Sequence, residues 1–131
     1  LSCGFSSIDG VDISSEMIKI ARGKSIYRNL QCFNPDRGIP VKQNEYSIIA
    51  AIGVISVGAA PISVFDQVFD LLPQNGLFAF SFNEHSLMVP EYSLKVEQTV
   101  KEKKAEQLFC ELGPHILKRD LKSMVYVIKK L

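Results

Sequence analysis

Cysteine is scarce in this chain of 131 residues, and its three cysteines, Cys3, Cys32 and Cys110, lie far apart. No C-x-x-C pair or histidine-rich segment accompanies them, so the spacing predicts neither a metal site nor a disulfide framework. A reduced compartment, the cytoplasm, is therefore expected. The length allows a single domain over residues 1–131 with a core of its own.

The sequence also lacks an excess of charge of one sign and a long hydrophobic run. Its formal net charge of +1 predicts neither nucleic acid nor an anionic membrane as a partner. The longest apolar run, residues 48–60, is shorter than the ~20 residues that cross a bilayer. No charged segment followed by a cleavage site is found, so secretion is not predicted.

Apolar segments alternate with amphipathic ones along most of the chain. Strands are predicted at residues 6–11, 29–33, 47–54, 77–82, 107–112 and 123–129. Helices are predicted from Ser14, from Pro61 and over residues 92–106, with a loop at 83–86. This order predicts an α/β doubly wound fold whose mostly parallel sheet has an antiparallel carboxyl-terminal edge. The apolar run at 47–54 is typical of a parallel strand covered on both faces.

Three segments resemble the motifs of a known family. They are IDGVDIS at residues 8–14, YSIIAAIGV at residues 46–54 and LLPQNGLFAFSF at residues 71–82. In this order and spacing they resemble the class I S-adenosylmethionine-dependent methyltransferases, in particular the methyltransferase-like proteins of the Williams–Beuren-region type. The resemblance implies a Rossmann-like three-layer sandwich that binds S-adenosylmethionine along the carboxyl ends of its strands.

The resemblance also implies where the cofactor would bind. The Asp12 carboxylate would accept both ribose hydroxyls, and Ile13 and Met17 would enclose the adenine ring. Asn34, in the loop after the second strand, would read the adenine amino group. The complete set of implied cofactor-binding residues is Asp12, Ile13, Met17, Cys32, Phe33, Asn34, Ile52 and Gly53. No catalytic residue is predicted, because methyl transfer mainly requires that a nucleophile be aligned with the methyl group.

The glycine-rich turn that the family places before its ribose-binding acid is lacking, because the chain contains no Gly-x-Gly-x-Gly sequence. We therefore expect an amino-terminally truncated domain without the central first strand, and weak or no binding of S-adenosylmethionine by this chain. The methyl acceptor is expected to be a small molecule or a protein. An uncovered sheet interior would favour self-association.

Two other functions are compatible with the same residues. A Rossmann-like interaction module could keep the sheet without catalysis. A nicotinamide-type nucleotide binder could use an acid after its second strand for the same ribose contact. Asp12 could also serve only as an acid near a helix amino terminus, and Met17 only as a core residue.

Overall fold

A computed structural model describes residues 3–116 and 120–131. The chain divides into two compact units, Leu1–Val41 and Lys42–Leu131, each with a sheet of its own. The single domain and the single continuous sheet remain predictions. None of the described helices has the length and apolar character that crossing a bilayer would require.

The first unit is a strand–helix–strand arrangement. Strand β1 (Asp9–Asp12) leads to helix α1 (Ser15–Gly23) and then to strand β2 (Asn29–Cys32), which pairs with β1 in parallel. Ser14 caps α1 as predicted, because its Oγ accepts a hydrogen bond from the Met17 N–H. The strands are shorter than expected, since β1 begins at Asp9 rather than at residue 6.

The amino-terminal ends of β1 and β2 are joined by an ion pair. Both carboxylate oxygens of Asp9 accept from the Arg28 guanidinium, with distances of 3.0 Å to Nε and 2.6 Å to Nη2. The backbone and side-chain amides of Asn29 also donate to Asp9. Asp9 is therefore occupied by structural contacts at the end of the sheet opposite to Asp12.

The second unit contains four strands and three helices among the residues described. In chain order these are β3 (Ile48–Ala51), α2 (Ser63–Leu71), β4 (Leu77–Asn83), α3 (Glu84–Leu87), α4 (Pro90–Lys101), β5 (Ala105–Ile116) and β6 (Leu121–Lys130). The sheet order is β3-β4-β6-β5, with β3 parallel to β4 and the other two pairings antiparallel. The predicted antiparallel carboxyl-terminal edge is thus confirmed.

Aromatic side chains form the core of the second unit. Phe78 and Phe80 of β4 are fully buried, and their ring centroids are 4.7 Å apart. The Phe65 ring of α2 meets Phe80 edge to face at 5.3 Å, and the Tyr126 ring of β6 stacks on Phe80 at 5.1 Å. Phe80 therefore holds one helix and two strands together.

Strand β3 corrects the prediction for residues 47–54. It spans only Ile48–Ala51, and Ile48 is exposed while Ala51 is buried. Within the described part of the chain β3 pairs only with β4, so it is an edge strand of this sheet. The face with Ile48 and Ala50 is exposed and the face with Ala51 is buried, so the strand is not covered on both faces.

Two further element boundaries were predicted wrongly. The helix expected over residues 92–106 ends at Lys101, and strand β5 already begins at Ala105. Lys103 adopts a positive φ of 58°, which no continuing α-helix allows. The expected loop at 83–86 instead contains the end of β4 and the start of α3, since the Asn83 side chain caps that short helix. Helix α2 begins at Ser63, two residues after Pro61.

Candidate functional site

Asp12 lies at the carboxyl end of β1, as predicted for a ribose-binding acid. Its side chain is half-buried, and Oδ1 accepts a hydrogen bond of 2.8 Å from the Ser14 N–H. The second oxygen, Oδ2, accepts no hydrogen bond from the residues described, so it can accept one from a ligand. This geometry holds the carboxylate in place while leaving one oxygen available.

Ile13 and Met17 present apolar surface next to that carboxylate. They are 60% and 52% exposed, so neither belongs to the core of the first unit. Met17 is therefore not the core residue that the alternative interpretation required. Exposed apolar side chains beside a fixed carboxylate are suited to the face of a flat heterocycle and to its attached sugar.

The residues that follow β2 come close to Asp12. The Phe33 N–H donates to the Asp12 backbone oxygen at 3.1 Å, and the Cys32 thiol donates to the Ile13 backbone oxygen at 3.5 Å. The first unit thus brings Asp12, Ile13, Cys32 and Phe33 together at the carboxyl ends of its two strands. Parallel strands place both ends on the same sheet edge.

Asn34 has a structural role that the sequence analysis did not assign. Its Oδ1 accepts from the Asp36 N–H at 3.0 Å and so caps the 3-10 turn Pro35–Arg37. An amide oxygen has two lone pairs, so this bond leaves one for an adenine amino group. Both roles are therefore chemically compatible in one side chain.

A cleft of about 190 Å³ lies beside α1 in the first unit. Asp12 and Met17 line it together with Val11 and Tyr27. This volume is below the ~300–1,000 Å³ of pockets that enclose a whole drug-sized ligand. Of the predicted cofactor-binding residues in this unit, only Asp12 and Met17 line the cleft, whereas Ile13, Cys32, Phe33 and Asn34 do not.

Ile52 and Gly53 belong to the second unit and directly follow β3. Ile52 is exposed, and Gly53 adopts a positive φ of 70° that favours glycine. The Gly53 N–H donates to the buried Ser81 Oγ at 2.9 Å. A cofactor site shared by these two residues and Asp12 remains a prediction.

Sequence reasoning missed a group of polar side chains after β4. The Ser86 Oγ accepts from the Val57 N–H at 3.0 Å and donates to the Asn83 Oδ1 at 2.8 Å. The Asn-x-x-Ser spacing of a helix cap is the only signal that could have revealed part of it. Neighbouring His85 is exposed. Throughout the described ranges, no group of three His, Cys, Asp or Glu side chains could hold a metal ion.

These features define an α/β protein with an acid at the end of a parallel strand, followed by a capped helix. Comparison with solved structures assigns the fold more closely. A methyltransferase of the S-adenosylmethionine-dependent type from Methanosarcina mazei superposes with a TM-score of 0.68 at 11% identity, covering 95% of this chain and 82% of the other. The chain therefore has the Rossmann-like fold of these methyltransferases.

Two further solved structures share the fold. The N-methyltransferase NodS from Bradyrhizobium japonicum, in complex with S-adenosyl-L-homocysteine, has a TM-score of 0.64 at 8% identity, covering 93% of this chain and 65% of NodS. The [4+2]-cyclase SpnF has a TM-score of 0.64 at 13% identity, covering 95% of this chain and 66% of SpnF. The fold alone thus does not decide the reaction. No family model matches the sequence, and the comparison with curated proteins found no match.

Proposed function

We propose that this chain is a methyltransferase domain of class I type whose first unit binds the adenosine part of S-adenosylmethionine. The observation that carries the proposal is the Asp12 carboxylate at the carboxyl end of β1, beside exposed Ile13 and Met17. Among the described residues only its Oδ1 accepts a hydrogen bond. Solved methyltransferases with the same fold support it. The subgroup of the Williams–Beuren-region type is the finer assignment within this proposal.

Each residue of the first unit has a defined task in this proposal. Asp12 Oδ2 accepts from the ribose hydroxyls, while Oδ1 keeps the carboxylate fixed through Ser14. Ile13 and Met17 cover the adenine ring, and the exit of β2 at Cys32 and Phe33 forms its other border. Asn34 accepts from the adenine amino group with its remaining lone pair. When bound, the cofactor supplies an activated methyl group on its sulfonium.

In this proposal the second unit would bind the methyl acceptor. Residues 47–64 contain no ionisable side chain, so this segment can recognise an acceptor only through apolar contacts, serine hydroxyls and backbone groups. Val57 lies in this segment and is 49% exposed. We infer that the small-molecule or protein acceptor brings its own nucleophile, which the domain aligns rather than deprotonates.

A non-catalytic Rossmann-like interaction module is the second candidate function. It is compatible with the fold, because the solved structures that share it include a [4+2]-cyclase as well as methyltransferases. Under this alternative the sheet persists while cofactor binding is lost. The two candidates differ in whether Asp12 contacts a nucleoside.

Titration of the ¹⁵N-labelled chain with S-adenosyl-L-homocysteine tests the proposal. We expect weak binding, in the millimolar range, with amide shift changes at residues 12, 13, 17 and 32–34. Asp12→Ala should remove these changes. Asp36→Ala, which deletes an exposed carboxylate of the same unit, should keep them.

Unchanged spectra at millimolar S-adenosyl-L-homocysteine would favour the interaction module. Shift changes induced only by a parallel titration with NAD would favour the nicotinamide-type binder. Micromolar affinity for S-adenosyl-L-homocysteine would show that the glycine-rich turn is not needed for the cofactor.

A further inference from the structure

The loop that follows β3 is anchored to the carboxyl end of β4 by two serine side chains. At its start the Gly53 N–H donates to Ser81 Oγ at 2.9 Å. Four residues later the Val57 N–H donates to Ser86 Oγ at 3.0 Å. Ser81 is 2% exposed and Ser86 is fully buried. Both serine hydroxyls are therefore buried, and a buried polar group without a partner is costly.

The Ser86 hydroxyl is oriented by Asn83. It donates its single proton to Asn83 Oδ1 at 2.8 Å, so its lone pairs face the Val57 N–H. The same Asn83 oxygen accepts from the Ser86 N–H at 2.9 Å and caps α3. One amide oxygen thus both starts the helix and sets the direction of the hydroxyl that reaches the loop.

Contacts among its own residues also shape the loop. Ile55 is fully buried and forms a bridge with Ala60, and the Ser56 N–H donates to the Ala60 oxygen at 3.0 Å. These contacts close the loop upon itself. No charged side chain lies within residues 53–60. Among the described residues, the Ser86 contact is the side-chain hydrogen bond that links the middle of this loop to the segment after β4.

We propose that Ser86, oriented by Asn83, is a positioning residue that makes residues 53–60 and helix α3 one rigid rim. This inference rests on the proposed function, under which the rim would border the methyl acceptor. Ser86 does not itself touch the reacting atoms in this proposal. It acts through the Val57 backbone, and both Val57 in the rim and Met88 directly after α3 are exposed apolar side chains.

Amide hydrogen exchange of the full chain tests the proposal residue by residue. Ser86→Ala and Asn83→Ala should each accelerate exchange at Val57 by about fivefold, the effect of one net hydrogen bond of ~1 kcal/mol. Asn83→Asp keeps an oxygen acceptor at the same place and should restore slow exchange at Val57. If Asn83 only filled space, Asn83→Ala and Asn83→Asp would not differ in this way in their exchange at Val57.

Thr99→Ala is the matched control for loss of a buried hydroxyl. Thr99 is 8% exposed and its Oγ1 donates to the Lys95 oxygen at 2.7 Å, away from the loop. This variant should leave Val57 exchange unchanged. Equal acceleration at Val57 in Thr99→Ala, or none in Ser86→Ala, would overturn the positioning role.

The proposed function is tested separately in the same samples. Ser86→Ala should bind S-adenosyl-L-homocysteine as the unaltered chain does, because Ser86 is not among the proposed cofactor contacts. If the unaltered chain binds no S-adenosyl-L-homocysteine, the proposed function fails while the exchange comparison still decides the role of Ser86. A Ser86→Ala variant that exchanges normally at Val57 but binds the cofactor would overturn only the positioning role.

Discussion

The Oδ1 atom of Asp12 lies 2.8 Å from the backbone nitrogen of Ser14 and accepts its hydrogen bond. This contact turns the chain from β1 into α1, because an aspartate side chain can mimic a backbone turn two residues along. The same carboxylate therefore has a structural oxygen and an oxygen available for binding. Substitutions can separate these two roles.

Asp12→Asn should preserve the turn and weaken the cofactor contact. An asparagine oxygen still accepts from Ser14, so we expect the free energy of unfolding to change by less than ~0.5 kcal/mol. Loss of the negative charge should weaken S-adenosyl-L-homocysteine binding about tenfold, since bonds to charged groups contribute ~1.5–3 kcal/mol. Asp12→Ala should lose both the turn contact and the cofactor contact. Its free energy of unfolding should fall by ~1 kcal/mol more than that of Asp12→Asn. Urea denaturation and the amide titration measure the two effects; equal stability losses in both variants would contradict this separation.

We expect Lys130 to contribute more to stability than its neighbour Lys129. Its Nζ donates to the Phe69 and Leu72 oxygens at the end of α2, at 3.0 and 2.8 Å, and lies 5.2 Å from the centre of the Phe69 ring. Lys130→Met should therefore cost ~2 kcal/mol, because the Phe69 and Leu72 oxygens lose a charged donor. Urea denaturation measures this loss.

Lys129→Met is the control for that experiment. Lys129 pairs with Glu106 at the surface, at 2.7 Å, and such exposed pairs contribute only ~0–1 kcal/mol. A loss of stability in Lys129→Met as large as in Lys130→Met would show that general charge, not the carbonyl contacts, is responsible.

Phe80 is the residue on which the second unit depends most. It is fully buried and touches Phe65, Phe78, Phe82 and Tyr126. Phe80→Ala should cost ~3–5 kcal/mol through the cavity that it leaves. Phe80→Leu fills most of that space and should cost less. Thermal unfolding followed by near-ultraviolet circular dichroism measures the stability of both variants. Similar losses of stability in Phe80→Ala and Phe80→Leu would mean that the neighbouring side chains collapse around the alanine.

Local signals in the sequence predicted the first unit well. Asp12 after an apolar strand and Ser14 as a helix cap are short-range patterns, and both are found where the sequence places them. The anchoring of Val57 by Ser86 could not be predicted, because 29 residues separate the partners and a serine carries no signal of its target. The prediction that residues 47–54 form a strand covered on both faces was wrong for a related reason. Apolar character predicts a strand but not its number of neighbours, and β3 has only β4 beside it among the residues described.

High pH should weaken the second unit through its buried tyrosines. Burial raises the pKa of Tyr126 above its ordinary 10.0, and the nearby Cys110 adds to this, while a hydrogen bond to Ser93 opposes it. Burial also raises the pKa of Tyr92, with a smaller contribution from Glu91. From pH ~10 upward the unfolded chain loses phenolic protons that the folded chain keeps. The free energy of unfolding should therefore fall as pH rises through this window and be insensitive to these groups below it.

Tyr126→Phe should make that decline less steep, because one of the two buried phenols no longer titrates. Urea denaturation at several pH values between 8 and 11 gives the slope for the unaltered chain, for Tyr126→Phe and for the double variant with Tyr92→Phe. The slope should decrease in that order, since each substitution removes one group that holds its proton only in the folded state. An unchanged slope in the double variant would mean that other groups cause the alkaline loss of stability.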